Sequence, residues 1–343
     1  MQAERSSRWL NRFIWFTASA TLLLICSGGM VTSKGVGLAV PDWPTTFGYN
    51  MFLFPVSKWV GGIFFEHTHR LIASTVGFLT IILTVWIWLA EDRPWVRRLG
   101  FIALAAVILQ GILGGLRVTL LKDEIGVFHA CLAQAFLGLL VFIGVARSNL
   151  WRSPPGFDPA WRRFATFAVA TTLLIYGQMA LGATMRHEHK DLSILDFPTA
   201  NHSWWPDTSA TALEQINQWR DARGLSDVTA FQIWLQMAHR FGALLVTIFV
   251  LLTVGRLWGI SGAISFLKKV SVFWIVLLIA QITLGAWTIW SNKAADIATA
   301  HVAVGATLLS LGICLAAFGF RFSGNQSDEI RQPAAARDRP VFA

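Results

Sequence analysis

Apolar runs long enough to cross a lipid bilayer recur eight times along this chain, and that feature removes most soluble folds. A hydrocarbon core takes roughly 20 residues of helix to cross. Windows of that length fall at about 13–33, 64–90, 98–116, 125–147, 162–185, 230–257, 269–290 and 297–320. They are too long for barrel strands, and a helix satisfies its own backbone hydrogen bonds in lipid. The composition agrees: 55% of the 343 residues are hydrophobic and 14% are charged, against about 25% charged in an ordinary soluble domain. The sequence therefore predicts an all-α polytopic membrane protein.

The formal charge of +9 follows from topology, so nucleic-acid binding is an unnecessary reading. Arg5, Arg8, Arg12, Arg93, Arg97, Arg98, Arg147, Arg152, Arg162, Arg163, Arg256, Lys268, Lys269 and Arg321 fall on one side of the eight-span arrangement. So do Arg331, Arg337 and Arg339 in the tail. Basic residues mark the cytoplasmic side, which places both termini in the cytoplasm. The first span lacks a small-residue cleavage site and no Arg/Ser-rich presequence precedes it. These traits predict a retained helix in a bacterial inner membrane. Cys26, Cys131 and Cys314 are scattered through apolar runs with no C-x-x-C pair. Neither a zinc knuckle nor a covalently attached haem is indicated, and small buried apolar roles suit these thiols.

The second half of the chain echoes the first. Glu66-His67-Thr68-His69-Arg70 in the second span matches Gln236-Met237-Ala238-His239-Arg240 in the sixth. Gln110 and Gly114 in the third span match Gln281 and Gly285 in the seventh, and His129 matches His301. Three landmarks in the same order and at nearly equal spacing predict two copies of a four-helix unit. An even number of helices gives both copies the same orientation. They would be parallel repeats with a pseudo-two-fold axis along the membrane normal. The expected division is an N-terminal segment 1–12, a half at 13–147, a linker at 148–161, a half at 162–320 and a disordered tail at 321–343.

His69, His129, His239 and His301 all lie near the starts of even-numbered spans, at one depth in the membrane. Ionisable groups inside lipid are costly and mark function. A small residue follows each by four positions (Ala73, Ala133, Ala243, Gly305), on the same helix face. Imidazole suits haem iron, two facing histidines give a six-coordinate site, and a four-helix bundle supplies a cavity for it. The plainer alternative is a histidine that only hydrogen-bonds a neighbouring helix. Zinc is a poor fit, because no cysteine or carboxylate pair converges on either histidine pair. His67 points to another face and suits a supporting role. His187, His189 and His202 fall in a polar loop and are expected to be solvated.

One carboxylate breaks the symmetry. Glu66 stands three residues before His69, where the second half has Gln236. A buried carboxylate can act as a base, a proton relay or a stabiliser of positive charge. An ion pair with Arg70, or a hydrogen bond orienting His67 or His69, explains it equally well. Arg70, Arg117 and Arg240 are candidate partners for haem propionates, and Lys34, Arg186 and Lys293 also sit near the outer ends of odd spans. Snorkelling to the headgroups explains such residues equally well.

At these positions the chain resembles the haem A synthase family. The resemblance rests on Gly37-Leu-Ala-Val-Pro-Asp-Trp-Pro-Thr-Thr-Phe-Gly48, on Glu66-His-Thr-His-Arg70 and on the four histidines, and it covers most of 13–320. It implies an eight-helix oxidoreductase that turns a ring methyl of haem O into a formyl group. The chemistry implied is successive methyl hydroxylation, then dehydration of a geminal diol. By position, His69 and His129 would flank the substrate haem, His239 and His301 would ligate a haem b cofactor, and Glu66 would be catalytic. The implied partners are haem O synthase, cytochrome oxidase assembly proteins and an electron-transfer partner. Some members carry paired cysteines in their outer loops. This chain lacks them and resembles the branch without them, in which the Trp-rich loop containing Trp204, Trp205 and Trp219 would cover the site. Outside the resemblance, four histidines in a bundle also suit a dihaem b-type electron carrier or a haem transporter or chaperone.

Overall fold

The computed structural model describes residues 2–154, 158–188 and 192–324. The expected tail beyond 324 and His189 lie outside the described residues, as does the side chain of His187. Among the described residues ten α-helices follow one another: α1 Gln2–Ser33, α2 Gly61–Ala90, α3 Pro94–Leu120, α4 Asp123–Ala146, α5 Asn149–Arg152, α6 Ala160–Glu188, α7 Ala210–Asp221, α8 Ala230–Trp258, α9 Ser265–Trp290 and α10 Ala295–Phe322. Eight of them, all but the short α5 and α7, are long and apolar enough to cross a membrane. Each expected span is found, usually a few residues longer, because helix continues past the apolar window until a turn stops it. The polar loop expected around His202 differs more. It contains α7, capped by Ser209 accepting from the Ala212 N–H.

The packing pairs come in matching sets. In the first half α1 packs on α2, α2 on α3, α3 on α4 and α4 back on α1. In the second, α6 packs on α8, α8 on α9, α9 on α10 and α10 back on α6. The halves meet through α1 with α10, α4 with α6 and, at the centre, α4 with α10. Small residues let these backbones approach in lipid. Gly138 on α4 takes the end of Ile313 from α10, and a Cβ there would stand 2.5 Å from it. One apolar core, including Leu10, Leu83, Leu140, Phe164, Val250 and Leu315, runs through both halves.

A polar knot closes the first half at the end where the arginines gather. Glu91 pairs with Arg93 (2.8 Å) and with Arg147, and Arg147 Nε donates to Asn11 Oδ1 at 3.0 Å. Arg93 Nη1 also donates to Ala146 O at 2.9 Å. The knot joins α1 to the α2–α3 turn and the end of α4. Burial alone would raise the Glu91 pKa, but the hydrogen bonds from Arg93 and the charges of Arg147 and Arg93 hold it down at about 2. A depressed carboxylate stabilises the fold above its unfolded pKa and loses that contribution as pH falls through the folded one. Thermal stability in detergent should therefore hold to about pH 5, then drop between about 4.5 and 2, and Glu91→Gln should flatten that drop. Arg147→Leu should cost about 1.5–3 kcal/mol, because Glu91 keeps Arg93 but loses its second charged donor and Asn11 Oδ1 loses its partner. An unchanged melting temperature in that variant would show that the knot is not structural.

Candidate functional site

The four intramembrane histidines sit on diagonally opposed helices. Within each half the closely packed pairs form a ring, and α2 faces α4, as α8 faces α10, across it. His69 and His129 lie on the first diagonal, His239 and His301 on the second. All four are half-buried. The His239 and His301 rings have centroids 6.4 Å apart and planes inclined at 63°. His69 and His129 lie within electrostatic range of each other.

A glycine on a neighbouring helix seats each ring. A Cβ at Gly28 of α1 would stand 3.0 Å from His69 Cε1. Gly114 of α3 relates to His129 in the same way (3.2 Å), Gly182 of α6 to His239 (3.1 Å) and Gly285 of α9 to His301 (3.1 Å). Three of these glycines follow a glutamine by one helical turn, and that glutamine holds the same histidine. Gln110 Nε2 donates to His129 O at 2.8 Å, and Gln178 Nε2 donates to His239 O at 2.7 Å. His301 Nδ1 donates to Gln281 O at 3.1 Å, which leaves Nε2 as its basic nitrogen. The fourth seat, at Gly28, has Leu24 where the others have glutamine. The expected clearance four residues after each histidine is used differently at Gly305, whose Cβ would meet Gln281 Nε2 at 3.1 Å.

Over each histidine pair a loop is clamped by the arginine next to the first histidine. Arg70 spends all four terminal N–H groups on protein acceptors: Asp42 O (2.6 Å), Thr45 O (3.0 Å), Val40 O (2.8 Å) and Glu66 Oε1 (2.7 Å). Arg240 reaches Thr199 O (2.8 Å) and Asp196 O (2.7 Å). Asp42 and Asp196 shape the two turns alike. Asp42 accepts from Phe47 N, Gly48 N and Thr45 Oγ1, and Asp196 accepts from Asn201 N, His202 N and Thr199 Oγ1. Burial opposes ionisation of Asp42, but the hydrogen bonds from Gly48, Thr45 and Phe47 hold its pKa below the usual range. The repeat thus extends into the loops, as Asp42-Trp43-Pro44-Thr45 against Asp196-Phe197-Pro198-Thr199. Helix landmarks alone missed this, although the shared Asp-aromatic-Pro-Thr string was there to find. Both arginines, expected as propionate partners, are turned to loop carbonyls.

Glu66 belongs to the same clamp. It is buried, and besides Arg70 its Oε2 accepts from Val40 N at 2.9 Å. Gln236 does the corresponding work with one residue, accepting from Ile194 N (2.9 Å) and donating to Ile194 O (3.0 Å). His67 packs under the first loop, with Nδ1 3.2 Å from Thr46 Oγ1 and its ring against Trp59 and Phe54. In the long loop Trp205 touches Trp234 and Phe241 of α8, and Trp204, Trp205 and Trp219 are all exposed. His202 is exposed, as expected. Arg117 lies against Gly37 and within electrostatic range of His69. Arg186, on the second half, donates to Gly29 O (3.0 Å) and Ser33 Oγ (2.7 Å) of α1 and acts electrostatically on His301.

These features fit a flat metal macrocycle in each half. Two imidazole nitrogens bound to one metal at about 2 Å put the ring centroids about 6 Å apart, close to the observed 6.4 Å. His69 Nδ1 is buried without a hydrogen-bond partner. Bare glycine backbone behind each ring fixes its position.

Residues 54–313, more than half of the chain, match the family model described as cytochrome oxidase assembly protein (COX15-CtaA). Relatives include a Heme A synthase of Shouchella clausii, 29% identical over 74% of this chain and 76% of that protein. Another, from Shewanella oneidensis, is 25% identical over 88% and 93% of the two chains. A third, from Rhizorhabdus wittichii, is 28% identical over 72% and 69%. The eight membrane-length helices, the repeated histidine seats and this match lead to one conclusion: the chain belongs to the COX15-CtaA family of cytochrome oxidase assembly proteins.

Proposed function

We propose that this chain is a haem A synthase, an oxidoreductase that takes haem O as substrate and oxidises its C8 methyl to the formyl group of haem A. The observation that carries this reading is the pair of facing imidazoles at 6.4 Å, each seated on glycine, in a chain of this family. We assign residues 162–320 as the cofactor half, where His239 and His301 would hold haem b. Bound there, that haem supplies a one-electron redox centre inside the membrane. We assign 13–147 as the substrate half, where His69 and His129 orient haem O. The clamped loop from Val40 to Gly48 excludes water from that end. We assign Glu66 as the catalytic carboxylate, which would stabilise positive charge developing at the substrate methyl. Arg117 would meet a propionate.

The histidine end of the bundle then faces outward and both termini lie in the cytoplasm, as the basic end of the bundle supports. The setting is a bacterial inner membrane. A haem O synthase supplies the substrate, an electron-transfer partner completes the redox chemistry, and oxidase assembly receives the product. Coexpression with a haem O synthase, followed by chromatography of extracted haems, tests the reading. Haem A should appear only when this protein is present. Bound haem b with haem O left unchanged would instead identify an electron carrier.

A further inference from the structure

At the end of the bundle opposite the histidines, a cavity of about 410 Å³ is lined by Arg93, Trp95, Trp151, Arg152 and Arg321. These residues come from the α2–α3 turn, the start of α3, α5 and the end of α10, so both halves contribute. None of the lining residues is acidic. The arginines are positioned by their own contacts: Arg93 by Glu91 and Ala146 O, and Arg321 by a 3.0 Å bond from Nε to Trp151 O. Trp95, Phe142 and Trp151 pack on one another with ring centroids 5.9–6.4 Å apart. Trp151 also lines a second cavity of about 260 Å³. That groove runs between α4, α6 and α10, past Phe142, Leu173, Ile313 and Phe320. Its one polar side chain, Thr172, donates its hydroxyl to Ala168 O.

We propose that this seam binds one anionic phospholipid, its phosphate among Arg93, Arg152 and Arg321 and an acyl chain along the groove. Charge selects the headgroup, because basic pockets between helices attract anionic lipid. The groove selects lipid over free phosphate, since an apolar groove shares Trp151 with the basic cavity. Aromatic rings at the junction suit the headgroup level. The lipid would tie the α5 linker to both halves.

The test uses the full-length protein, delipidated in detergent, with unfolding followed by tryptophan fluorescence. Phosphatidylglycerol or cardiolipin should raise the melting temperature, while phosphatidylcholine and inorganic phosphate should not. Arg152→Glu, at an exposed position, should weaken the effect about tenfold or more. Leu173→Trp, on the exposed wall of the groove, should also weaken it with the haem content unchanged. Lys269→Glu, exposed on α9 away from the seam, should leave it intact. Equal shifts with phosphatidylcholine or with inorganic phosphate would overturn the proposal. Equal losses in Arg152→Glu and Lys269→Glu would overturn it too, by showing only diffuse attraction to a basic surface.

Discussion

Leucine at Gly182 or Gly285 is expected to remove the resident haem, whereas leucine at Gly28 or Gly114 abolishes haem A formation and leaves that haem in place. The reason is steric. A Cβ at any of these four positions lies 3.0–3.2 Å from an imidazole Cε1, so alanine already forces a small shift and leucine displaces the ring. Disturbing the residues that orient a metal ligand typically costs about 10–100-fold in affinity. Packing strain adds about 1–3 kcal/mol. Gly77 is the control, because a Cβ there meets nothing within 4 Å. Absorbance of the purified protein reports the resident haem, and chromatography of extracted haems reports the product. If all four variants lose the resident haem alike, the halves do not hold separate haems and the assignment of roles fails.

Glu66→Gln is expected to reduce haem A formation about a hundredfold or more while resident haem stays at the wild-type level. The structure makes this substitution less innocent than the sequence implies. Glu66 accepts at both oxygens, from Arg70 and from Val40 N–H. A glutamine has one acceptor oxygen and would turn its NH2 toward a donor, costing about 1–3 kcal/mol for an unsatisfied group. Gln236 avoids this because Ile194 offers both an N–H and a free carbonyl. In the first half Arg70 occupies the Val40 carbonyl. Hydrogen exchange at the Val40 amide therefore belongs with the assay. Lost activity with Val40 still protected assigns the loss to the charge. Lost activity with Val40 exposed, matched by Arg70→Gln, assigns it to the loop clamp. Normal haem A production would end the catalytic assignment.

The sequence by itself determined the membrane class, the eight spans and the four histidines at one depth. These follow from local properties: a bilayer demands about 20 apolar residues per helix, and an ionisable residue inside such a run stands out. It also showed half of the seat motif, Gln110 to Gly114 and Gln281 to Gly285, although as landmarks of a repeat. Gln178 and Gly182 went unread because the first span has Leu24 and Gly28 there, so the repeat offered no matching glutamine. Tertiary structure alone decided what each glycine and arginine does. A glycine's purpose is the atom that approaches it, and the histidines at Gly28, Gly114, Gly182 and Gly285 come from other helices. Arg70 and Arg240 looked like propionate partners because charge near a haem site is all a sequence reveals. Their loop carbonyls, about 25 to 44 residues away in the chain, became neighbours only when the loops folded back over the bundle. The Glu66–Gln236 difference was visible from the start. That Arg70 takes one loop carbonyl while the other is left for Gln236 required the fold.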